Sequence, residues 1–440
     1  MRRSLLALGA SIAVIAGACS GGGTPAPTTG APAESAAAPS EAASAGASET
    51  TTSAAPSFDS SAVSGTVKLA AWQSSDAEKK ALQDTIDAFQ AQNSKIKVDL
   101  SIVAGDYPTV MATNFASKNV PDLFYVNGEI GLTWADQGFL QPLDDYISAS
   151  GFDTSPFFPG YLQVFKGTDG KIYGLPKDGN TIGMAYNTAD VTTAPTTMDE
   201  LSQTAQGLKG KSGLKAPMCL NASLDRGLAF IYADGGAIVS PDGTQNMTNT
   251  PATTTAVQDY LNLFKNGLGM TASDMGDGWC GDALGKKHAA IAFEGGWLDP
   301  AMSSTYPDVK YSWGTFPQGS SGQPSTISFT ASYAIGADSQ NKDQAWVLLE
   351  YLVGVEGMTK WTSGGVALPS RSDVPAPQGK EVLVQQAPNA KPGAGFMKGF
   401  TDVQDAFNKA FLTEVQNKSY QAGPVIQATS AAVDKALAGS

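Results

Sequence analysis

What most constrains this chain is a change of hydrophobic period that repeats from Thr66 onward. "TVKLAAW" (66–72) alternates with period two, whereas Leu82, Ile86 and Phe89 recur at helical spacing, so a strand hands over to an amphipathic helix. Ser75, Asp76, Ala77 and Glu78 mark that start with a capping box, in which a hydroxyl and a carboxylate satisfy donors left free in the first turn. "IKVDLSIV" (96–103) is the next strand, "YPTVMATNFA" (107–116) the next helix and "DLFYV" (122–126) a short buried strand. This β-α-β-α-β order specifies a mostly parallel sheet with helices on both faces, and ligands bind beyond the carboxyl ends of such strands. The residues just past those ends are Trp72 and Gln73, then Gly105, Asp106 and Tyr107, then Asn127, Gly128 and Glu129. They are the first candidates for a site, although a charge such as Asp106 equally suits a solvated loop.

Farther along, "KIYGLPKDGNTIGMAYNTADV" carries Gly, Pro and Asp punctuation between Tyr173 and Asn180, then an apolar stretch ending at Tyr186 and Asn187. The chain is expected to pass from one lobe to another here. A second α/β stretch follows with "AFIYADGG" (229–236), a helix near 254–265 and "HAAIAFEGGW" (288–297). After a helix at 343–351 and "GGVALPSR" (364–371), a last long helix is expected to start at the Thr401-x-x-Gln404 cap. Val403, Phe407, Phe411 and Val415 line its buried face.

The N-terminal segment has a different character. Arg2 and Arg3 precede a 14-residue apolar run, Leu5 to Ala18, shorter than the roughly 20 residues a membrane span needs and of signal-peptide length. "IAGACSGGG" resembles a bacterial lipoprotein signal whose cysteine, Cys19, is lipidated, with Ala16 where that signal usually has Leu. The arginine pair leaves both the general and the twin-arginine export routes open. From Ser20 to Ser57, 38 residues use only Ser, Gly, Thr, Pro, Ala and Glu. Such a segment has nothing to bury, and as a flexible tether it spans about 35 Å. The formal net charge of -13 argues against nucleic acid as a partner, and the single histidine, His288, against a His-rich metal cage. No metal and no cofactor are expected. With Cys19 as anchor, Cys219 and Cys280 remain, either as a disulfide in an oxidising compartment or as two buried thiols.

Five segments, "GDYPTVMATNFASKNVPDLFYVN", "WADQGFLQPLDDYI", "YGLPKDGNTIGMAYN", "AIAFEGGW" and "GGVALPSR", in this order and spacing resemble the extracellular solute-binding proteins of ABC importers, specifically the maltose-binding-protein-like carbohydrate group. The resemblance covers about Ser64 to the end. It implies an α/β fold of the two-lobed periplasmic-binding-protein type (type II), with a ligand cleft between lobes joined by hinge segments that close around the ligand. The expected organisation is a signal at 1–18, a lipidated N-terminus and linker at 19–60, one lobe from 61–179 plus 331–375, and the other from 180–330 plus 376–440. The protein would be a monomer on the outer face of the cytoplasmic membrane, delivering a sugar to ABC permease subunits.

Sugar recognition needs flat apolar surfaces for ring C–H faces and fixed polar groups for hydroxyls. The resemblance places a stacking Trp at Trp297, with Gly295 and Gly296 leaving room for close approach. Trp72 and Tyr125 stand at strand ends and suit stacking or core packing alike; Trp279 and Tyr333 are further aromatic candidates. Asn127 and Glu129 follow the third strand, and Asp178 and Asn180 sit at the lobe crossing, where the maltose-type pattern has acidic residues. Asp225 and Arg226 align with a ligand-contacting loop of the second lobe, and Phe396 and Lys398 with another. The competing reading is a secreted glycoside hydrolase or another carbohydrate-active surface protein. A hydrolase needs two carboxylates flanking the bond, and no local motif pairs Asp178, Glu294 or any other. No catalytic residue is expected. "GDALGKKH" departs from a phosphate-binding loop, and "DMGDGWCGD" from a calcium loop.

Overall fold

In the computed structural model, the described residues are 57–439 except 74 and 366. Cys19, the expected signal and nearly all of the expected linker lie outside them. The first sheet begins with β1 (Gly65–Ala71), α1 (Asp76–Gln92), β2 (Ile96–Ile102), α2 (Tyr107–Ala116) and β3 (Leu123–Asn127), followed directly by α3 (Gly128–Asp136). β1 lies between β2 and β3, parallel to both. The start of α1 is capped as its sequence dictates, with the Ser75 hydroxyl accepting from the Glu78 N–H at 3.2 Å, and Leu82, Ile86 and Phe89 are buried.

Later chain completes this sheet. β4 (Leu175–Thr181) and β11 (Ala390–Pro392) both pair with β10 (Thr326–Ile335), which also runs antiparallel to β3. The second sheet is built from β5 (Gly183–Asn187), β6 (Met218–Cys219), β7 (Gly269–Met270), β8 (Ile291–Glu294) and β9 (Tyr311–Gly314), in the order β7-β6-β8-β5-β9. Only Ile182 separates β4 of the first sheet from β5 of the second. Its N–H donates to Ile327 O at 3.1 Å, while its carbonyl accepts from the Thr326 hydroxyl at 2.6 Å and from the Gln386 amide at 3.0 Å. The crossing is therefore tied to two other segments of chain. Each sheet has its own core: Val67, Leu69, Phe89, Phe124 and Trp346 belong to the first, and Met184, Phe230, Tyr260, Phe293 and Phe411 to the second.

One local expectation is corrected. The long helix Phe400–Gln416 starts one residue earlier than the Thr401 cap, with no side-chain cap and with Gly399 left-handed at φ 65. Phe400 is buried in the second core, and anchoring that ring sets the first turn. Its stripe of Val403, Phe407, Phe411 and Val415 is core, as the spacing predicts. "AFIYADGG" is the end of the helix Leu224–Ala233 and its exit turn, where Gly235 has φ 82, a conformation glycine adopts freely. Cys219 and Cys280 are joined by a disulfide with Cα atoms 5.4 Å apart. No helix of the described residues is long and apolar enough to cross a membrane.

Candidate functional site

At the carboxyl ends of β1 and β3 an aromatic box surrounds a lysine. Trp72, half-buried, meets Tyr107 and Tyr125 edge-on with centroids 4.9 and 4.8 Å apart. Lys177, on β4, is 3% exposed; its ammonium lies 4.5 Å from the ring centres of Tyr125 and Trp361 and pairs with the neighbouring Asp178 carboxylate. Three rings and a carboxylate replace the water that a buried ammonium gives up. Asp178 also accepts from the Trp361 indole N–H at 3.0 Å, so its orientation is fixed from both sides.

A second cluster is built on the loop after β8. The Trp297 indole donates to Glu294 Oε2 at 2.9 Å, and its ring meets Phe329 of β10 edge-on at 5.9 Å. The Arg226 guanidinium lies 5.2 Å from the Trp297 centre and 5.0 Å from that of Phe329. Arg226 also donates to Asp225 at 2.9 Å and stands 3.7 Å from Glu294. Burial pushes the Glu294 carboxyl up, only partly countered by the charge of Arg226 and the Trp297 hydrogen bond. The result is an aromatic surface edged by one cation and two carboxylates.

Contacts between the two sheets' ends bring these clusters together. Asn180 Oδ1, on β4, accepts from the Gly296 N–H at 3.0 Å, and a Cβ on Gly296 would sit 2.8 Å from that oxygen. Burial, and after it the charge of Asp225, pushes the Glu129 carboxyl up, so a carboxylate from the first lobe senses one from the second. Gly395 (φ 70) approaches Gly128 so closely that a Cβ on it would lie 1.9 Å from the Gly128 carbonyl oxygen. Lys398 pairs with Asp136 at 2.7 Å.

Trp72, Asp178, Asn180, Asp225, Arg226, Gly296 and Trp297 thus lie in these two clusters or in the bond that joins them. Tyr125 and Tyr333 are 0% and 2% exposed and pack on each other at 5.2 Å, supporting Trp72 from beneath. Gln73 is exposed at the end of β1. Asn127 caps α3, accepting from the Glu129 N–H at 3.1 Å, and Asp106 likewise caps α2. Trp279 packs with the cluster around the disulfide, apart from Trp297. Lys177, Trp361 and Phe329 escaped sequence reasoning. Lys177 had one usable signal, its place beside Asp178 within a strand; Trp361 lies 183 residues from its partner and had none.

Residues 73–359 match the family model of bacterial extracellular solute-binding proteins. The chain is similar to a binding protein of Brucella abortus, at 25% identity over 326 residues that span 70% of this chain and 77% of that one. In fold it is similar to the cyclic alpha-maltosyl-1,6-maltose binding protein from Arthrobacter globiformis, with a TM-score of 0.73 and 20% identity over 86% of this chain and 100% of the other. The sugar-binding protein MalE from Xanthomonas citri gives 0.72 and 20%, over 85% and 98%. The two sheets, with their separate cores and shared crossing, are the two lobes of that fold.

Proposed function

The chain belongs to the bacterial extracellular solute-binding proteins, and from that premise we propose that it captures a carbohydrate, from mono- to oligosaccharide, between its lobes and passes it to the permease subunits of an ABC importer. The observation that carries the sugar reading is the loop after β8: a half-buried Trp297 whose indole is fixed by Glu294, with Arg226 and Asp225 held at its edge. A rigid aromatic face beside fixed donors and acceptors matches a pyranose, which offers C–H faces and a rim of hydroxyls. Arg226 suits two adjacent hydroxyls because its donors form a fork. Trp72 serves as the facing aromatic surface, and Gln73, Glu129, Asp178 and Asn180 as hydroxyl partners. Both fold relatives are sugar-binding proteins by name, which supports the same reading.

In this reading 61–179 plus 331–375 form most of one lobe and 180–330 plus 376–440 most of the other, with the ends of β4 and β10 and all of β11 carrying the first sheet across those bounds, and the protein works as a monomer that binds without catalysis. Lipidation of Cys19 and a tether through Ser57 hold the lobes near the membrane. Thermal unfolding with a panel of neutral mono-, di- and oligosaccharides tests the binding. A matching sugar at 100 times its Kd adds about 2.7 kcal/mol of stability; no shift with any member overturns the carbohydrate reading. Shorter sugars appearing in the same incubations would overturn the absence of catalysis.

A further inference from the structure

Gly295 and Gly296 precede Trp297, and a diglycine leaves a backbone free to wander. Two side chains from elsewhere in the chain restrain it. Asn180 takes the Gly296 N–H at 3.0 Å, and the Lys380 ammonium donates to the Gly296 carbonyl at 3.4 Å. That carbonyl also accepts the Asp299 N–H at 3.3 Å, while Gly295 O accepts the Leu298 N–H at 3.0 Å, so the turn carrying Trp297 is fixed at both ends.

Lys380 is 6% exposed, an expensive place for a charge unless it is paired. Its counter-charge is Asp299, two residues past Trp297. Asp299 is itself held by the Tyr311 hydroxyl and by the Trp313 indole N–H at 3.0 Å, both on β9 at positions that share a strand face. Asn180 and Lys380 also share a mounting. Lys380 opens the short helix Glu381–Gln385, whose Leu383 carbonyl accepts the Thr181 hydroxyl at 2.7 Å. The following Gln386 donates to Thr181 Oγ1 at 2.9 Å. Both groups that grip Gly296 are thus fixed to the end of β4, whereas Gly296 itself follows β8 in the second lobe.

We propose that Lys380 is a positioning residue for ligand capture: fixed to the crossing segment, it grips the Gly296 carbonyl and sets the Trp297 ring where the sugar stacks. The proposal rests on the carbohydrate reading for its ligand, while the grip on the turn is independent of it. A plain ion pair would lock Asp299 to Lys380 for the fold alone. The Gly296 contact adds a link from the crossing to the ligand loop, so movement of the lobes about the crossing acts directly on Trp297.

Amide hydrogen exchange of the unliganded protein separates the two roles. Lys380→Met is expected to speed exchange across 295–299 at least tenfold while the helix Phe400–Gln416 keeps its protection, and Lys380→Arg to restore most of it. Titration calorimetry with maltotriose and raffinose is expected to give at least a tenfold weaker Kd in Lys380→Met for whichever sugar binds. Unchanged exchange at 295–299, or an equal rise in the distant helix, overturns the proposal. Should Lys380→Met fail to fold, the Lys380→Met, Asp299→Asn pair, which leaves no unpaired buried carboxylate, takes its place, with the same results expected and the same results overturning it. If the wild type binds neither these sugars nor any of the broader panel, the carbohydrate reading falls, and the exchange experiment still decides whether Lys380 holds the turn.

Discussion

The Trp297 indole N–H and the Glu294 carboxylate, three residues apart, are joined at 2.9 Å, so the aromatic face of the loop after β8 is held by the last residue of the strand it follows. Truncating Trp297 to Ala is expected to cost about 2 kcal/mol or more of sugar affinity, as loss of a central aromatic anchor does. Trp297→Phe keeps a ring but not the donor and should fall between. Calorimetric titration of the three proteins checks the order, and equal affinities would remove Trp297 from the site.

Glu294 also predicts a pH dependence. Its carboxyl is pushed up by burial, so its ionised form costs more in the folded protein than in the unfolded chain. The group supports folding below the ordinary glutamate value and withdraws that support as pH rises through its own raised value. The melting temperature of Glu294→Gln relative to wild type should therefore improve as pH rises above the ordinary glutamate value of about 4.3. A difference that is flat with pH contradicts this.

Asp277 runs the other way. Burial pushes its carboxyl up, but hydrogen bonds from His288 at 2.8 Å and Lys286 at 3.0 Å outweigh that and hold it below the usual aspartate value. Its contribution is present above the unfolded value and is lost as pH falls through the lowered one. Asp277→Asn should cost about 1–3 kcal/mol near neutrality, the cost of leaving a buried side chain short of its charge-assisted bonds, with the deficit shrinking toward acid. Denaturant titrations at several pH values measure it.

The Cys219–Cys280 bridge closes a loop with a sequence separation of 61. Removing it with the Cys219→Ala, Cys280→Ala pair is expected to lower stability by about 3–5 kcal/mol. Wild type in reductant should match the double variant in its unfolding midpoint.

Gly395→Ala should hinder approach of the lobes. An L-residue at φ 70, with its Cβ 1.9 Å from Gly128 O, is strained by about 1–2 kcal/mol from the left-handed backbone alone, and parting the loop from α3 relieves the clash. A larger radius of gyration in solution scattering and weaker sugar binding are the expected results. An unchanged radius with unchanged affinity would place closure elsewhere.

The first three strands and the helices between them were legible because each is encoded locally, by period and by caps such as Ser75. The crossing near Asn180 was visible as a break in pattern. What stayed hidden depends on distance along the chain. Lys177 reads as a solvated charge until Trp361 arrives from the far end of the sequence to help box it. Lys380 reads as one more loop lysine until Gly296 is beside it. Tyr125 and Tyr333 advertised a sugar platform, yet cross-strand pairing of β3 with β10 buries both. Aromatic content at a strand end does not say which face of the sheet it covers.

β10 places Ile327 in one core and Tyr333 in the other. A fragment trimmed to either lobe would take with it, or leave behind, a strand that its counterpart needs at the centre of its packing. Recombination between relatives therefore has no single breakpoint that exchanges a whole lobe intact. The strand that runs through both halves obliges them to be exchanged as one piece.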